Sequence, residues 1–303
     1  MPTAPTLIGA CDGSSRRYGP AMGALATDTA VAGESADGQG SYTAEVSRDW
    51  EIWGPNGGYL AAIALRAVGA HTGRVRPASI SVQFLRPGRF EPMELDVRTV
   101  RGTRRADCVH VVARQGGDDI ITAQAWAVDE VEGMEHHHAP IPVDTPPEAT
   151  PTVQERLEAA GRGDEPPRFR FWENFEGRPL DWVDDWEQRV AGEPQAGGWY
   201  RFAHEDTSTD PWVDAGRSAI LVDTFTWPAA TRASTGDLPY IAPSLDLNVQ
   251  LLHDVAESPW LLAIGQAPVA HRGTIGCYGR VWSADGRLAA MGTGTCLCTP
   301  VRV

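Results

Sequence analysis

From Trp53 to Ala70 (WGPNGGYLAAIALRAVGA) the apolar residues fall at helical spacing, with Leu60, Ile63, Ala64, Ala67 and Val68 at i, i+3, i+4, i+7 and i+8. Tyr59, Ala61, Ala62 and Leu65 fill the remaining faces, and Arg66 is the one charge in the run. A helix apolar nearly all round has to be buried. At roughly 14 residues it is too short to span a bilayer, which needs about 20. Gly54, Pro55 and Asn56 ahead of it are turn residues. After Pro77 the period drops to two: Ile80, Val82 and Phe84 alternate with Ser79, Ser81 and Gln83, the mark of a half-buried strand. Further strands are predicted over 93–100, 106–115 and 119–128, separated by Gly- and Arg-rich joints at hairpin spacing. The first strand covers 78–86. A buried helix followed by an antiparallel meander is an α+β unit in which the sheet wraps the helix.

The pattern then recurs. Residues 219–233 (AILVDTFTWPAATRA) read as a second buried helix, bent or ended by Pro228. Strand-like runs follow over 243–252, 260–269, 274–282 and 287–299. SISVQF at 79–84 matches SLDLNV at 244–249, an offset of 165, and the same offset sets Gly58 opposite Asp223, each read as an early helix turn. Internal self-similarity on this scale means two copies of one unit. The predicted organisation is a loose N-terminal arm over 1–40, a first unit over 41–131, a Pro-rich linker over 132–165 and a second unit over 166–303. A strand is expected near 41–46. Residues 166–202 are dense in aromatics, among them Phe169, Phe171, Trp172, Phe175, Trp186, Trp199 and Tyr200, and read as packing between the units rather than as a stacking platform.

Composition narrows the function. A net charge of −14 over 303 residues argues against nucleic acid or an anionic membrane as partner, since phosphate binding needs a basic surface. Arg101, Arg104 and Arg105 are one candidate for a local basic patch that takes a phosphorylated cofactor. Cys11, Cys108, Cys277, Cys296 and Cys298 are odd in number and lack a CxxC pair, so neither zinc nor a disulfide framework is indicated. Neighbouring imidazoles of His136-His137-His138 point in different directions on an extended chain and no Cys or acidic cluster completes a ligand set, so the run reads as a solvated turn; no metal or other cofactor is expected. With no signal pattern and no long apolar run, the chain reads as a cytoplasmic protein. No G-x-S-x-G, G-x-x-x-x-G-K-[ST] or H-E-x-x-H occurs, which leaves serine hydrolases, P-loop enzymes and zincins without support.

The segments GPNGGYLAAIALRA (54–67), SISVQFLRPG (79–88), GMEHHHAPIPVDTPPE (133–148), GWYRF (198–202) and DGRLAA (285–290), with Asp223 and Ser244, together resemble the acyl-CoA thioesterase II (TesB-like) family over roughly residues 41–301. The resemblance implies a double hotdog: two helix-in-sheet units in one chain forming an internal pseudo-dimer. It also implies hydrolysis of an acyl-CoA, or acyl-carrier-protein, thioester by water held between an Asp, a Ser or Thr, and a Gln, with homo-oligomers expected. Asp223 matches the Asp and Ser244 the hydroxyl residue. Gly294 stands at the Gln position, and Thr293 or Thr295 would substitute only with a one-residue register shift, which flips the faces of the strand. Asn56, Gly57 and Gly58 are expected to bind substrate, with Gly57-Gly58 backbone N–H groups at the helix start facing the oxyanion.

Apart from the resemblance, Asp223 reads as a helix-start carboxylate, Ser244 as a strand serine and Gly57-Gly58 as turn residues. Two other functions compete with thioesterase. One is another hotdog enzyme such as a hydratase or dehydratase, for which no Asp/His pair is evident. The other is an acyl-thioester binder without turnover, consistent with the absent Gln.

Overall fold

The computed structural model describes residues 23–185, 188–203, 209–236 and 238–301; Cys11 and Trp186 lie outside them. Helix α1 (Leu25–Asp28) precedes the hairpin β1 (Ala32–Ala36) and β2 (Gln39–Ala44), then α2 (Gly57–His71) and the meander β3 (Arg76–Phe84), β4 (Met93–Gly102), β5 (Ala106–Gln115) and β6 (Asp118–Val128). Helix α3 (Val153–Ala159) lies between the halves. The second half runs β7 (Phe175–Pro179), β8 (Gln195–Phe202), α4 (Pro211–Thr224), α5 (Thr226–Arg232), β9 (Tyr240–Ile241), β10 (Ser244–Leu251), β11 (Leu261–His271), β12 (Thr274–Ser283), β13 (Leu288–Leu297) and β14 (Thr299–Pro300). No helix among the described residues is long and apolar enough to cross a membrane.

Twelve strands form one antiparallel sheet in the order β1-β2-β4-β5-β6-β3-β10-β13-β12-β11-β8-β7. The order is symmetric about the β3–β10 seam. There the two repeated segments pair with each other, Val82 opposite Leu247 and Ile80 opposite Val249. Joining the meanders at this seam covers one open edge of each, an edge that would otherwise invite pairing with another chain.

The sheet wraps two helices packed directly against one another. Tyr59 through Leu65, with Ala67 and Val68, are all buried, as an all-apolar helix requires. Contact is close because small residues line the crossing: a Cβ on Gly58 would lie 2.6 Å from the Ile220 Cα, and one on Gly216 would lie 3.1 Å from the Ala62 Cβ. Beyond Gly58 the helices run to opposite ends of each other. The α2 N-terminus meets the α4 C-terminus, and at the far end the Trp212 ring lies over Gly69 while Arg66 pairs with Asp210. The buried pair Asp214–Arg217 (3.0 Å) seats α4 on the second sheet half through Val255 N–H (2.9 Å) and the Ser258 carbonyl (2.7 Å).

Several expectations are corrected. The second helix begins at Pro211, not near 219, because Asp210 caps it by accepting from Trp212 N–H (2.8 Å) and Pro211 takes its first position. Asp214, Arg217 and Ser218 mask it in the sequence as a polar stretch, yet they are buried. The helix breaks at Phe225 and resumes as α5, with Pro228 in its first turn and unable to donate to the Thr224 carbonyl, so the bend expected from Pro228 is present. Asp223 therefore lies in the last turn of α4, and the helices do not share the offset of the strands because α5 is inserted between α4 and β10. Residues 25–44, partly read as a loose arm, carry α1 and the β1–β2 hairpin, with β2 paired to β4. The linker is also more than a spacer: Ala139, Ile141 and Val143 pack on the outer-face cluster of Trp199, Trp260, Leu262, Trp282 and Leu288. Trp282 and Trp199 donate indole N–H bonds to the Ala139 carbonyl (3.1 Å) and the Thr145 carbonyl (3.0 Å). The aromatic segment packs as expected between the halves, with Phe171, Phe175 and Phe202 around Trp50, which stacks on Tyr59 at 5.2 Å.

Gly58→Ala is expected to destabilise the protein by about 1–3 kcal/mol or more, because the added carbon meets helix backbone that cannot turn aside. Gly73→Ala, with nothing within 4 Å of the new carbon, is the control. Thermal unfolding of the two variants checks this; equal melting temperatures would mean the crossing relaxes freely.

Candidate active site

Asn56 caps α2 by accepting the Tyr59 N–H on its Oδ1 (2.9 Å), and its amide nitrogen turns to Asp223, donating to Oδ2 at 3.2 Å. The Gly58 N–H, one of the donors that a first helical turn leaves free, gives a second bond to the same oxygen at 2.9 Å. Ser244 Oγ donates to Oδ1 at 3.1 Å. One carboxylate thus collects the start of α2, the end of α4 and the start of β10. Gly57 and Gly58 are required at this approach: a Cβ on Gly57 would sit 3.1 Å from Asp223 Oδ2 and 3.0 Å from the Phe84 ring.

Ser244 reaches the site through a bulge. Strict alternation would put Ser244 and Leu247 on opposite faces of β10. The pairing to β13 slips between Ser244 and Asp246, so Ser244 lies opposite Cys296 while Leu247 lies opposite Gly294. Leu245 is the extra residue. Both Ser244 and Leu247 consequently face the helices, and Asp246 faces outward.

On β13 the inward residues are Gly292, Gly294 and Cys296. A Cβ on Gly292 would meet Val222 of α4 at 2.9 Å, and Cys296 Sγ lies 3.7 Å from Ser244 Oγ. Thr293 and Thr295 alternate with these and point to the other face, so neither joins Asp223; pairing with β10 and β12 runs unbroken from Gly292 to Thr295, without the slip that would turn them inward. Beside Gly294 lies a residue pair that sequence reasoning missed. Cys277 Sγ is 3.0 Å from Thr226 Oγ1 and donates to the Gly294 carbonyl at 3.1 Å, and Thr226 Oγ1 donates to the Asp223 carbonyl at 3.3 Å. The strand parity of Cys277, which lies opposite Gly294, is the signal that would have found it.

Electrostatics at Asp223 pull both ways. Burial raises its pKa above the ordinary 3.8 and is the largest influence; the bonds from Gly58, Ser244 and Asn56 oppose it. Its own helix ends here, which is unfavourable for a negative charge, while the α2 N-terminus facing it is favourable. The dipole that helps Asp223 therefore belongs to the other half of the chain, not to its own helix as the sequence position implies. Among the described residues Oδ2 has both acceptor positions filled and Oδ1 has one filled, leaving one lone pair for a further donor. The same geometry alters the role expected of Gly58, whose N–H is occupied by Asp223. The Gly57 N–H, the neighbouring first-turn donor, has no partner among the described residues.

Burial also raises the Cys277 thiol, and takes Cys296 up to about 12, so both are neutral at physiological pH. Cys108, Cys277, Cys296 and Cys298 are all free thiols. No group of three or more metal-ligating side chains gathers among the described residues; in the histidine run, His137 packs against His253 and bonds the Ala139 carbonyl at 3.2 Å. Arg101, Arg104 and Arg105 belong to the β4–β5 turn, tied by Arg74 to the C-terminal end of α2. A 15-residue helix, about 20 Å long, separates them from Gly58, so they do not serve this site.

A sequence profile described as the acyl-CoA thioesterase N-terminal domain matches residues 46–128, and one described as the acyl-CoA thioesterase C-terminal domain matches residues 142–298. None of the curated proteins compared matches the chain. Among solved structures, a conserved protein of unknown function with a hotdog fold from Alicyclobacillus acidocaldarius superposes with a TM-score of 0.74 at 23% identity, over 92% of this chain and 99% of that one. The acyl-CoA thioesterase II TesB2 from Mycobacterium marinum follows with 0.70 at 19%, over 91% and 97%. The dehydratase domain of the polyketide PpsC from Mycobacterium tuberculosis is more distant, at 0.54 and 16%, over 90% and 98%. At these identities the superpositions establish the fold.

The raised pKa of Asp223 has a stability consequence. A carboxyl whose folded pKa exceeds its unfolded value favours folding fully below the unfolded value, and that contribution is lost as pH rises through the folded one. Asp223→Asn removes this loss, so its melting temperature relative to wild type is expected to rise as pH increases above the ordinary carboxylate value of 3.8. A difference that stays flat with pH would show that the carboxylate is not held in an unfavourable setting.

Proposed function

This chain belongs to the acyl-CoA thioesterase family, as a thioester hydrolase with two hotdog units, and we propose that Asp223 and Ser244 activate the water that cleaves its substrate. The observation that carries this reading is the free lone pair on Asp223 Oδ1, beside the Ser244 hydroxyl and at the start of α2. Water bound there donates one hydrogen to Oδ1 and the other toward Ser244 Oγ. Asp223 takes the proton as the water oxygen attacks the thioester carbonyl, a role favoured by a pKa raised toward the working pH. The carbonyl oxygen gains negative charge, and the Gly57 N–H at the positive end of α2 is the donor available to it. When the tetrahedral adduct collapses, the carbon–sulfur bond breaks. The proton on Asp223 passes to the leaving thiolate, which restores the carboxylate and releases a carboxylic acid and a free thiol.

Gly294 supplies no side chain to orient the water. Thr226 and Cys277 occupy the neighbouring space, where a Cβ on Gly294 would meet Cys277 Sγ at 3.3 Å and the Asp246 carbonyl at 3.1 Å. In this reading the enzyme is slow for want of a third water ligand. The substrate is an acyl-CoA, with an acyl-carrier-protein thioester as the alternative, in the thioester turnover of fatty acid metabolism. We read the enzyme as cytoplasmic, and as homo-oligomeric on the strength of the family resemblance. A dehydratase needs a second proton-transfer group, and no histidine bonds Asp223 or Ser244 among the described residues.

Thiol release from a panel of short, long, branched and aryl acyl-CoAs tests the assignment. Asp223→Asn is expected to lose roughly 10²–10⁴-fold in kcat/KM, and Ser244→Ala less. Wild-type kcat/KM should fall at low pH with a midpoint above the ordinary carboxylate value of 3.8. Unchanged rates in Asp223→Asn would remove Asp223 from the mechanism.

A glutamine can be restored to the strand as a separate test. Gly294→Gln combined with Cys277→Ala, which clears the sulfur, is expected to release thiol faster than Gly294→Gln alone. If the two are equal, Cys277 does not limit the space for the third ligand.

A further inference from the structure

Three aromatic rings, Trp53, Trp227 and Phe169, meet from three separate segments. Trp53 lies three residues before Asn56 and is 47% exposed, a large apolar surface that the packing of the fold does not use. Its ring centroid is 6.1 Å from that of Trp227, at 70°, and 6.4 Å from that of Phe169, at 89°. These are edge-to-face packing contacts, and they set the ring faces at right angles as a corner. Arg168 lies over the Phe169 ring at 5.3 Å, so the corner is walled mainly by the two tryptophans. Trp227 packs on the cluster of Ala229, Ala242, Ala267, Ile275 and Cys296.

The corner is close to the chemistry. Trp227 follows Asp223 by four residues across the Phe225 break between α4 and α5, Thr226 beside it bonds the Asp223 carbonyl at 3.3 Å, and Trp53 is at most about 10 Å of extended chain from Asn56. In a CoA thioester the long pantetheine arm separates the adenine ring from the reacting carbonyl, so a ring held this near to Asp223 belongs to the acyl side. We propose that Trp53 and Trp227, with Phe169, select an aromatic acyl group, which makes aryl thioesters the preferred substrate class of this enzyme. This inference rests on Asp223 being the hydrolytic site. A planar ring bound in the corner meets indole edges and faces at the distances where aromatic pairs gain over equal aliphatic area. A saturated ring of the same bulk does not.

The test compares phenylacetyl-CoA with cyclohexylacetyl-CoA in wild type, Trp53→Leu, Trp53→Phe and Trp227→Leu. Wild type is expected to favour the aryl substrate in kcat/KM by roughly three- to tenfold. Each Leu variant should lower the aryl value by that factor more than the cyclohexyl value, and Trp53→Phe should recover most of the preference. Loss of both substrates in equal measure, or no wild-type preference, would overturn the proposal. Binding is measured in parallel by quenching of tryptophan fluorescence with the corresponding uncleavable CoA thioethers, so that an enzyme without turnover still reports aryl selection. Trp53-dependent binding of CoA alone would place adenine in the corner and overturn the acyl assignment. Hydrolysis without aryl preference rejects the corner and leaves Asp223 standing. Aryl-selective binding with wild-type turnover in Asp223→Asn rejects the Asp223 site, and with it the acyl placement, and leaves only an aryl-binding corner.

Discussion

The start of α2 and the end of α4 meet closely enough that one added methyl group would strike backbone. Much of the architecture follows from that contact. Two helices, each buried nearly all round, need more covering than one sheet provides, and each supplies it to the other across a crossing lined by Gly58, Ala62 and Gly216. The approach brings an unsatisfied N–H of one helix to a carboxylate of the other, and the Gly58–Asp223 bond satisfies both. The twelve-stranded sheet fixes the approach from outside, through the seam between β3 and β10.

Much of this was legible in the residues, and the parts that were not share a cause. Strands facing solvent on one side show a two-residue period, so the eight meander strands and their internal repeat could be read within a few residues. Helix α2 could be read because nothing on it competes with its apolar character. Helix α4 was cut short because Asp214, Arg217 and Ser218 resemble a surface, and only their buried partners at Val255 and Ser258 reveal otherwise. The linker presents prolines and polar residues, while the tryptophans that hold Ala139 and Thr145 lie far away in sequence.

For the site, residue identity outran residue position. Asp223, Ser244, Asn56, Gly57 and Gly58 were all named, and they do converge, but the helical position given to Asp223 was wrong. Local sequence pointed to the dipole of its own helix, whereas the favourable one reaches it from the other half. Thr293 and Thr295 depended on a register shift, and the irregularity turned out to lie in β10, where it serves Ser244. A bulge of one residue leaves little trace in a hydrophobic pattern. Thr226 and Cys277 lacked any local mark and emerge only when β12 is laid beside β13.

The far end of the helix pair bears on stoichiometry. Approximate twofold symmetry offers the same junction twice, once where α2 begins and once where α4 begins. At the second, the Trp212 indole covers Gly69 and the Arg66–Asp210 pair closes the approach. A symmetric pair of identical chains would have to keep both junctions alike, either both open or both filled. Carrying two units on one chain frees each end to diverge, and here one end has become a wedge that holds the helices while the other stays accessible. With the proposed site at the open end alone, each chain would titrate as a single binding unit.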